Sequence, residues 1–76
     1  MLDLLGLKVF LDLAHLALAR ILYEQGNLLE AVESYTNVSG DSVHLPDKLY
    51  ELIWTAIRRE SWDEALDGID IFLLAY

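Results

Sequence analysis

The residues of this chain that could do chemistry fall into three groups, and the first is a pair. Asp12 and His15 are spaced i and i+3, which sets an oxygen and an imidazole on one helix face, as a metal site begins. No second histidine and no cysteine stands at ligand spacing, so no metal is expected, and His15 reads as a satisfied or exposed side chain. The second group is acidic: Glu60, Asp63, Glu64, Asp67 and Asp70. Paired carboxylates do acid–base work from opposing positions. These lie along one helix with no opposing acid or base, which predicts a solvated face and favourable charges in a first turn. Ser34, Ser39 and Ser61 have no histidine partner to activate them, and no glycine-rich phosphate loop occurs. His44 falls in a loop before Pro46 and is expected in solvent, and Asn37-Val38-Ser39 is formally a glycosylation acceptor. A small helical enzyme working through His15 or the acidic cluster is thus the weakest reading. It would require turnover that His15→Ala abolishes. Neither catalysis nor a cofactor is expected.

The third group is suited to binding. Tyr50 and Trp54 lie four apart, with Arg58 one turn further on, and Tyr, Trp and Arg are the residues that binding hot spots favour. The plainer alternative is that Tyr50 and Trp54 pack against a neighbouring helix. The sequence leaves both open.

The elements that hold these residues must be built from a short chain. Seventy-six residues make one domain or a piece of one, and a chain of this size buries about 60–65 % of its unfolded surface. There is no cysteine to form a disulfide, so packing alone supplies the core. Apolar residues are 55 % of the chain, while five basic against 13 acidic residues leave a net charge of −8. This balance excludes disorder and disfavours nucleic acid and anionic membranes as partners. Basic or apolar partners fit better, and so much apolar surface on so small a chain predicts contact with another chain. From Met1 to Tyr23 nearly every residue is apolar, but Asp3, Lys8, Asp12, His15 and Arg20 interrupt the run. A charge near the centre of a span costs roughly 2.5–3.5 kcal/mol, so a buried soluble helix is expected rather than membrane insertion. A secretory signal would open on basic residues, where this chain has Asp3. A soluble compartment follows, cytoplasmic or a bacterial periplasm or envelope, and cysteine usage does not choose between them.

Apolar residues recur at intervals of three and four, so the fold class is all-α. Breakers at Gly6, Gly26-Asn27, 37–42 and Pro46 divide the chain into four helices, roughly 7–25, 27–38, 46–59 and 61–75. Pro46 suits a helix's first turn. Asn27 and Ser61 each precede an acid three residues later, Glu30 and Glu64, in the manner of a capping box. These two starts are 34 residues apart, as are Ala31 and Ala65, Gly6 and Gly40, Val9 and Val43, Leu11 and Leu45, and Leu18 and Leu52. A 34-residue period is that of a helix–turn–helix repeat. Alanine at 31 and 65 allows close helix approach, with Leu18, Leu22, Leu28, Val32, Leu52, Leu66 and Ile69 expected to fill the groove around it.

The stretch Leu22–Tyr35, LYEQGNLLEAVESY, resembles the centre of a tetratricopeptide repeat: Ala19, Gly26, Ala31 and Tyr35 fill the small crossing, turn-glycine, alanine and aromatic positions. In the second unit Leu52 and Ala65 keep their places and Trp62-Asp63-Glu64-Ala65 resembles the usual start of the second helix, but Ile53 replaces the small residue, Glu60 the glycine and Ile69 the aromatic. Val43 stands where that family closes a unit with proline. The resemblance implies antiparallel helical hairpins stacked as a short right-handed solenoid, with unit one over about 12–45 and unit two over about 46–76. Residues 1–11 would begin the first helix or remain from a preceding unit. It further implies a protein–protein interaction module with a concave groove for a peptide or helix. The partner-binding residues carried over are Leu16, Arg20, Tyr23, Tyr50, Trp54 and Arg58, flanked by Leu13, Glu24, Asp47 and Ile57. A clamp for a partner's terminal carboxylate is not implied, because Leu16, Tyr50 and Glu51 stand where polar donors are wanted. Two units are fewer than a solenoid usually needs, and the last segment, IDIFLLAY, carries a single charge. Ile69, Phe72, Leu73 and Tyr76 are therefore expected to self-associate, giving a homo-oligomer or a slice of a longer array. The alternative function is a structural subunit joined through its apolar terminal helices, as in cell-envelope assemblies.

Overall fold

The computed structural model describes residues 3–76. They form four helices and, among the described residues, no strand: α1 (Leu4–Glu24), α2 (Leu28–Thr36), α3 (Leu45–Arg58) and α4 (Trp62–Ala75). Short turns return α2 onto α1 and α4 onto α3, and α2 also packs on α3, giving a slab with principal extents of 43 × 30 × 13 Å. No described helix is long and apolar enough to cross a membrane.

α1 starts at Leu4 rather than near residue 7, so residues 4–11 are the beginning of the first helix; Met1 and Leu2 lie outside the described residues. The apparent breaker Gly6 sits in the first turn, where its free N–H donates to the Asp3 carboxylate at 2.6 Å. α2 ends at Thr36, two residues before the expected Val38, and α3 holds Pro46 in its first turn. Asn27 and Ser61 do precede α2 and α4, but neither side chain makes a cap hydrogen bond, so the expected capping boxes do not form. Glu64 instead accepts from Arg59 Nη1 at 2.7 Å.

Both turns carry the same hydrogen bonds, 34 residues apart. Asn27 N donates to Leu22 O and Ser61 N to Ala56 O, while Gly26 N donates to Tyr23 O and Glu60 N to Ile57 O. These are paired Schellman closures, which need a left-handed residue after the helix. Gly26 supplies it at φ +79° without a Cβ penalty, and Glu60 adopts it at φ +58° despite one.

Ile53, at the position where the first unit has Ala19, is accommodated by Gly68. A Cβ on Gly68 would lie 2.9 Å from Ile53 Cγ1. In the first unit the corresponding residues are Ala19 and Ser34, both small and both buried. The bulk that α3 gains at Ile53 is therefore released on α4.

The core is lopsided. Leu16, Ala19, Ala31, Tyr35 and Val38 form one buried cluster, against which Leu22, Tyr23 and Leu52 pack. Every fully buried member comes from the first hairpin and its following loop. Leu18, Leu66 and Ile69, expected to fill the groove around the alanines, are exposed instead.

Candidate functional site

Four of the six residues expected to line a partner groove are occupied within the chain. Leu16 is 1 % exposed and belongs to the core, so it cannot touch a partner. The Arg20 guanidinium meets the Glu51 carboxylate in a fork, Nε to Oε1 at 2.8 Å and Nη2 to Oε2 at 2.7 Å. This fork raises the Arg20 pKa further. Arg58 crosses from α3 to donate to Tyr23 O at 2.6 Å, its guanidinium 4.9 Å from the centre of the Tyr23 ring. Tyr35 donates its hydroxyl to Glu51 Oε1 at 3.0 Å, and burial followed by that bond pushes its pKa well above the ordinary phenol value. Lys48 Nζ donates to Val38 O at 2.8 Å. Lys48, Glu51, Leu52 and Arg58 thus form one stripe by which α3 sits on the first hairpin.

Tyr50 and Trp54 stay open. Trp54 is 49 % exposed, its ring edge-on to Tyr50 with centroids 6.4 Å apart. Across from them on α4 stand Ile69, Phe72 and Leu73, and the two sets enclose an open slot of about 280 Å3 completed by Ile53 and Ile57. No charged side chain lines it. Residues that the sequence pattern divided into a partner set and a self-association set therefore meet on one surface. Tyr76 lies beside it, its ring 5.1 Å from that of Phe72.

The position of this slot is explained by the repeat. Subtracting 34 from Tyr50, Ile53, Trp54, Ile57, Ile69, Phe72 and Leu73 gives Leu16, Ala19, Arg20, Tyr23, Tyr35, Val38 and Ser39. Four of these are members of the buried cluster, Tyr23 packs on it, and Arg20, Tyr23, Tyr35 and Val38 each bond to α3. The open slot is thus the second hairpin's copy of the seat that α3 covers on the first. Adding 34 to the core residues would have found it from the sequence.

The remaining candidates have structural partners. Asp12, set on one helix face with His15 by its spacing, is buried, and its Oδ1 accepts from Ser39 N at 3.0 Å and Ser39 Oγ at 2.9 Å. The backbone bond, outweighing desolvation, holds its carboxyl below the usual range. Asp12 shares the 12, 16, 19, 23 stripe with Leu16 and Ala19, a spacing that marks it as inward-facing. Lys8 turns to Asp41, 2.6 Å from its Oδ1. His44, expected in solvent, is half-buried, and its backbone N–H donates to Ser42 Oγ. A second cavity of about 250 Å3 lies between the hairpins beside Val32, Gly68 and the Arg59–Glu64 pair, whose charges already satisfy each other. Among the described residues no group of three or more potential ligands is placed to hold a metal. Compared with protein families, curated proteins and solved structures, the chain matches none.

Proposed function

We propose that this chain is a protein–protein interaction module, without catalysis, that takes an amphipathic helix of a partner protein into the slot between α3 and α4. The fold that suits this role is a two-unit, tetratricopeptide-like right-handed solenoid, and the two identical Schellman closures 34 residues apart support it. The observation that carries the function is the open seat itself: the first hairpin's equivalent surface already accepts a helix, α3, and the second hairpin presents the same positions uncovered. The ligand differs from a groove-bound extended peptide in its anchors. Tyr50, Trp54 and Leu73 offer aromatic and aliphatic contact at low side-chain entropy. α4 adds Asp63, Glu64, Asp67 and Asp70 with no basic residue, so a helix with a basic outer face gains long-range attraction.

The test uses a leucine–lysine amphipathic helical peptide as the probe. The chain has two tryptophans, so a Trp62→Phe background leaves Trp54 as the sole indole. At dilutions where the chain is single, saturable blue-shift of its emission on titration with the peptide, lost on Leu73→Glu, is the expected result. A flat titration, or a shift that persists in the Leu73→Glu variant, refutes the seat.

A further inference from the structure

We infer that the helix this slot is built to receive is α1 of a second copy of the chain, so that copies join head to tail. The inference rests on the reading of the slot as a helix seat and adds its occupant.

The internal junction supplies the template. α3 sits on the first hairpin through Lys48, Glu51, Leu52 and Arg58, and 34 residues earlier on α1 stand Ala14, Ala17, Leu18 and Glu24. With Ile21, which corresponds to Thr55, they form a stripe on α1 whose members are all exposed. Leu18 is 47 % and Ile21 54 % exposed, high values for aliphatic side chains in mid-helix.

Size and polarity match across the two surfaces. Where the internal junction sets Arg20 and Tyr35 against Glu51, the intermolecular one sets Trp54 and Ile69 against Ala17. Where Lys48 reaches the Val38 carbonyl, Ala14 faces Phe72. Every polar partnership of the internal junction within this stripe becomes a large apolar side chain over an alanine, which is the pattern of a knob entering a hole. Glu24, at the last residue of α1, puts an acid where Arg58 stands, and there it reaches solvent. Alanine to alanine or bulk to bulk would have left a void or a clash.

The α1 stripe from Ala14 to Ile21 has no charge except Arg20 at its side, already held by Glu51, so it enters an apolar slot without stranding an ion. A junction of α4 with the partner's α1 is heterologous, so each added copy presents the same open slot and growth continues past the dimer.

Light scattering across a concentration series, with two complementary variants, tests this. Wild-type chain should rise in mass beyond two copies as concentration increases. Leu18→Glu, which blocks the α1 stripe, and Trp54→Glu, which blocks the slot, should each remain single chains with unchanged far-UV circular dichroism. Mixed in equal amounts, they should form a species of twice the single-chain mass and nothing larger, because one open stripe meets one open slot. Leu74→Glu, 89 % exposed and outside the slot, should associate as the wild type does. A wild type that stays a single chain up to its solubility limit, self-association by either blocked variant, or a mixture that stays monomeric overturns the inference. If the leucine–lysine peptide still shifts Trp54 emission in that case, the seat stands and only its occupant is wrong; if the peptide also fails, both fall.

Discussion

Gly68 and Ile53 give the sharpest test of how the second hairpin packs. Gly68 lies in mid-α4, where replacing glycine by alanine ordinarily stabilises a helix by about 0.8–1 kcal/mol. Here the new Cβ would stand 2.9 Å from Ile53 Cγ1, closer than carbon atoms tolerate, and Cγ1 sits near the backbone rather than at the far end of a side chain that could swing aside. Overpacking of this kind costs about 1–3 kcal/mol, so Gly68→Ala should lower stability by about 1 kcal/mol net. Ile53→Ala should lose about 2–5 kcal/mol as a truncated core residue. A 76-residue domain has a stability of about 4–11 kcal/mol at typical values per residue, so the variant remains measurable.

The decisive quantity is the double variant. With Cγ1 gone, the same Gly68→Ala change meets open space, recovers its helix propensity and partly refills the cavity, so it should stabilise the Ile53→Ala background by about 1 kcal/mol. The sign of one substitution reverses with its neighbour, a coupling of about 2 kcal/mol, well above the roughly 0.3–0.5 kcal/mol within which independent sites add. Urea unfolding of all four proteins, followed by far-UV circular dichroism, measures the cycle. Gly68→Ala stabilising the wild type, or additivity within that margin, would show that Gly68 does not make room for Ile53.

Three other substitutions probe the turns and the buried polar groups. Glu60→Gly should raise stability by about 1 kcal/mol, seen as a Tm gain of about 4–8 °C, because Glu60 holds a left-handed conformation that costs a side chain about 1–2 kcal/mol; Gly26→Ala should lose a similar amount. Asp12→Ala should cost about 1–3 kcal/mol by orphaning the Ser39 N–H. Since the native carboxyl of Asp12 sits below its ordinary 3.8, its contribution is complete above that pH and lost as pH falls through the native value, so acid titration of stability should be flatter in the variant. Tyr35→Phe should cost about 0.5–1.5 kcal/mol through the lost bond to Glu51. The raised Tyr35 pKa makes that contribution full below pH 10.0 and lost progressively as pH climbs from there through the higher native value, and ultraviolet titration should find this tyrosine ionising above the ordinary phenol range.

The four helices were legible because the apolar period, Pro46 and the Gly26 turn are local signals, each acting within a few residues. Side-chain direction was not, since a helix with apolar residues on nearly all faces, as α1 has, does not declare which face its partners cover. Leu16 and Leu18 are both leucines of one helix, yet the first is core and the second faces outward. Asp12 shows the limit of local spacing: its neighbour His15 suggests a ligand pair, while the Ser39 backbone N–H, 27 residues away, is the group that takes its carboxylate as acceptor. Capping residues were misjudged for a related reason. Asn27 and Ser61 follow Schellman turns whose backbone bonds already fix the chain, so the side-chain cap is not required to set the helix start.

The contrast between the two seats follows from how each helix arrives. α3 is tethered to the first hairpin by the short loop 37–44, so its docking is intramolecular at high effective concentration. Directional bonds such as Arg20–Glu51 and Tyr35–Glu51 suffice there, because their small net energies need only choose one arrangement among those the loop allows. A helix from another chain has no tether, and its docking must offset about 4–15 kcal/mol of lost translational and rotational freedom. Polar pairs, each losing hydration as it forms, supply little of that. Apolar burial at about 25 cal/mol per Å2 does supply it, and the second seat has replaced Arg20 by Trp54, Tyr35 by Ile69 and Val38 by Phe72 in that direction. The same arrangement of backbone would therefore suit a tethered helix when its edge is polar and, on the proposed reading, an untethered one when it is apolar.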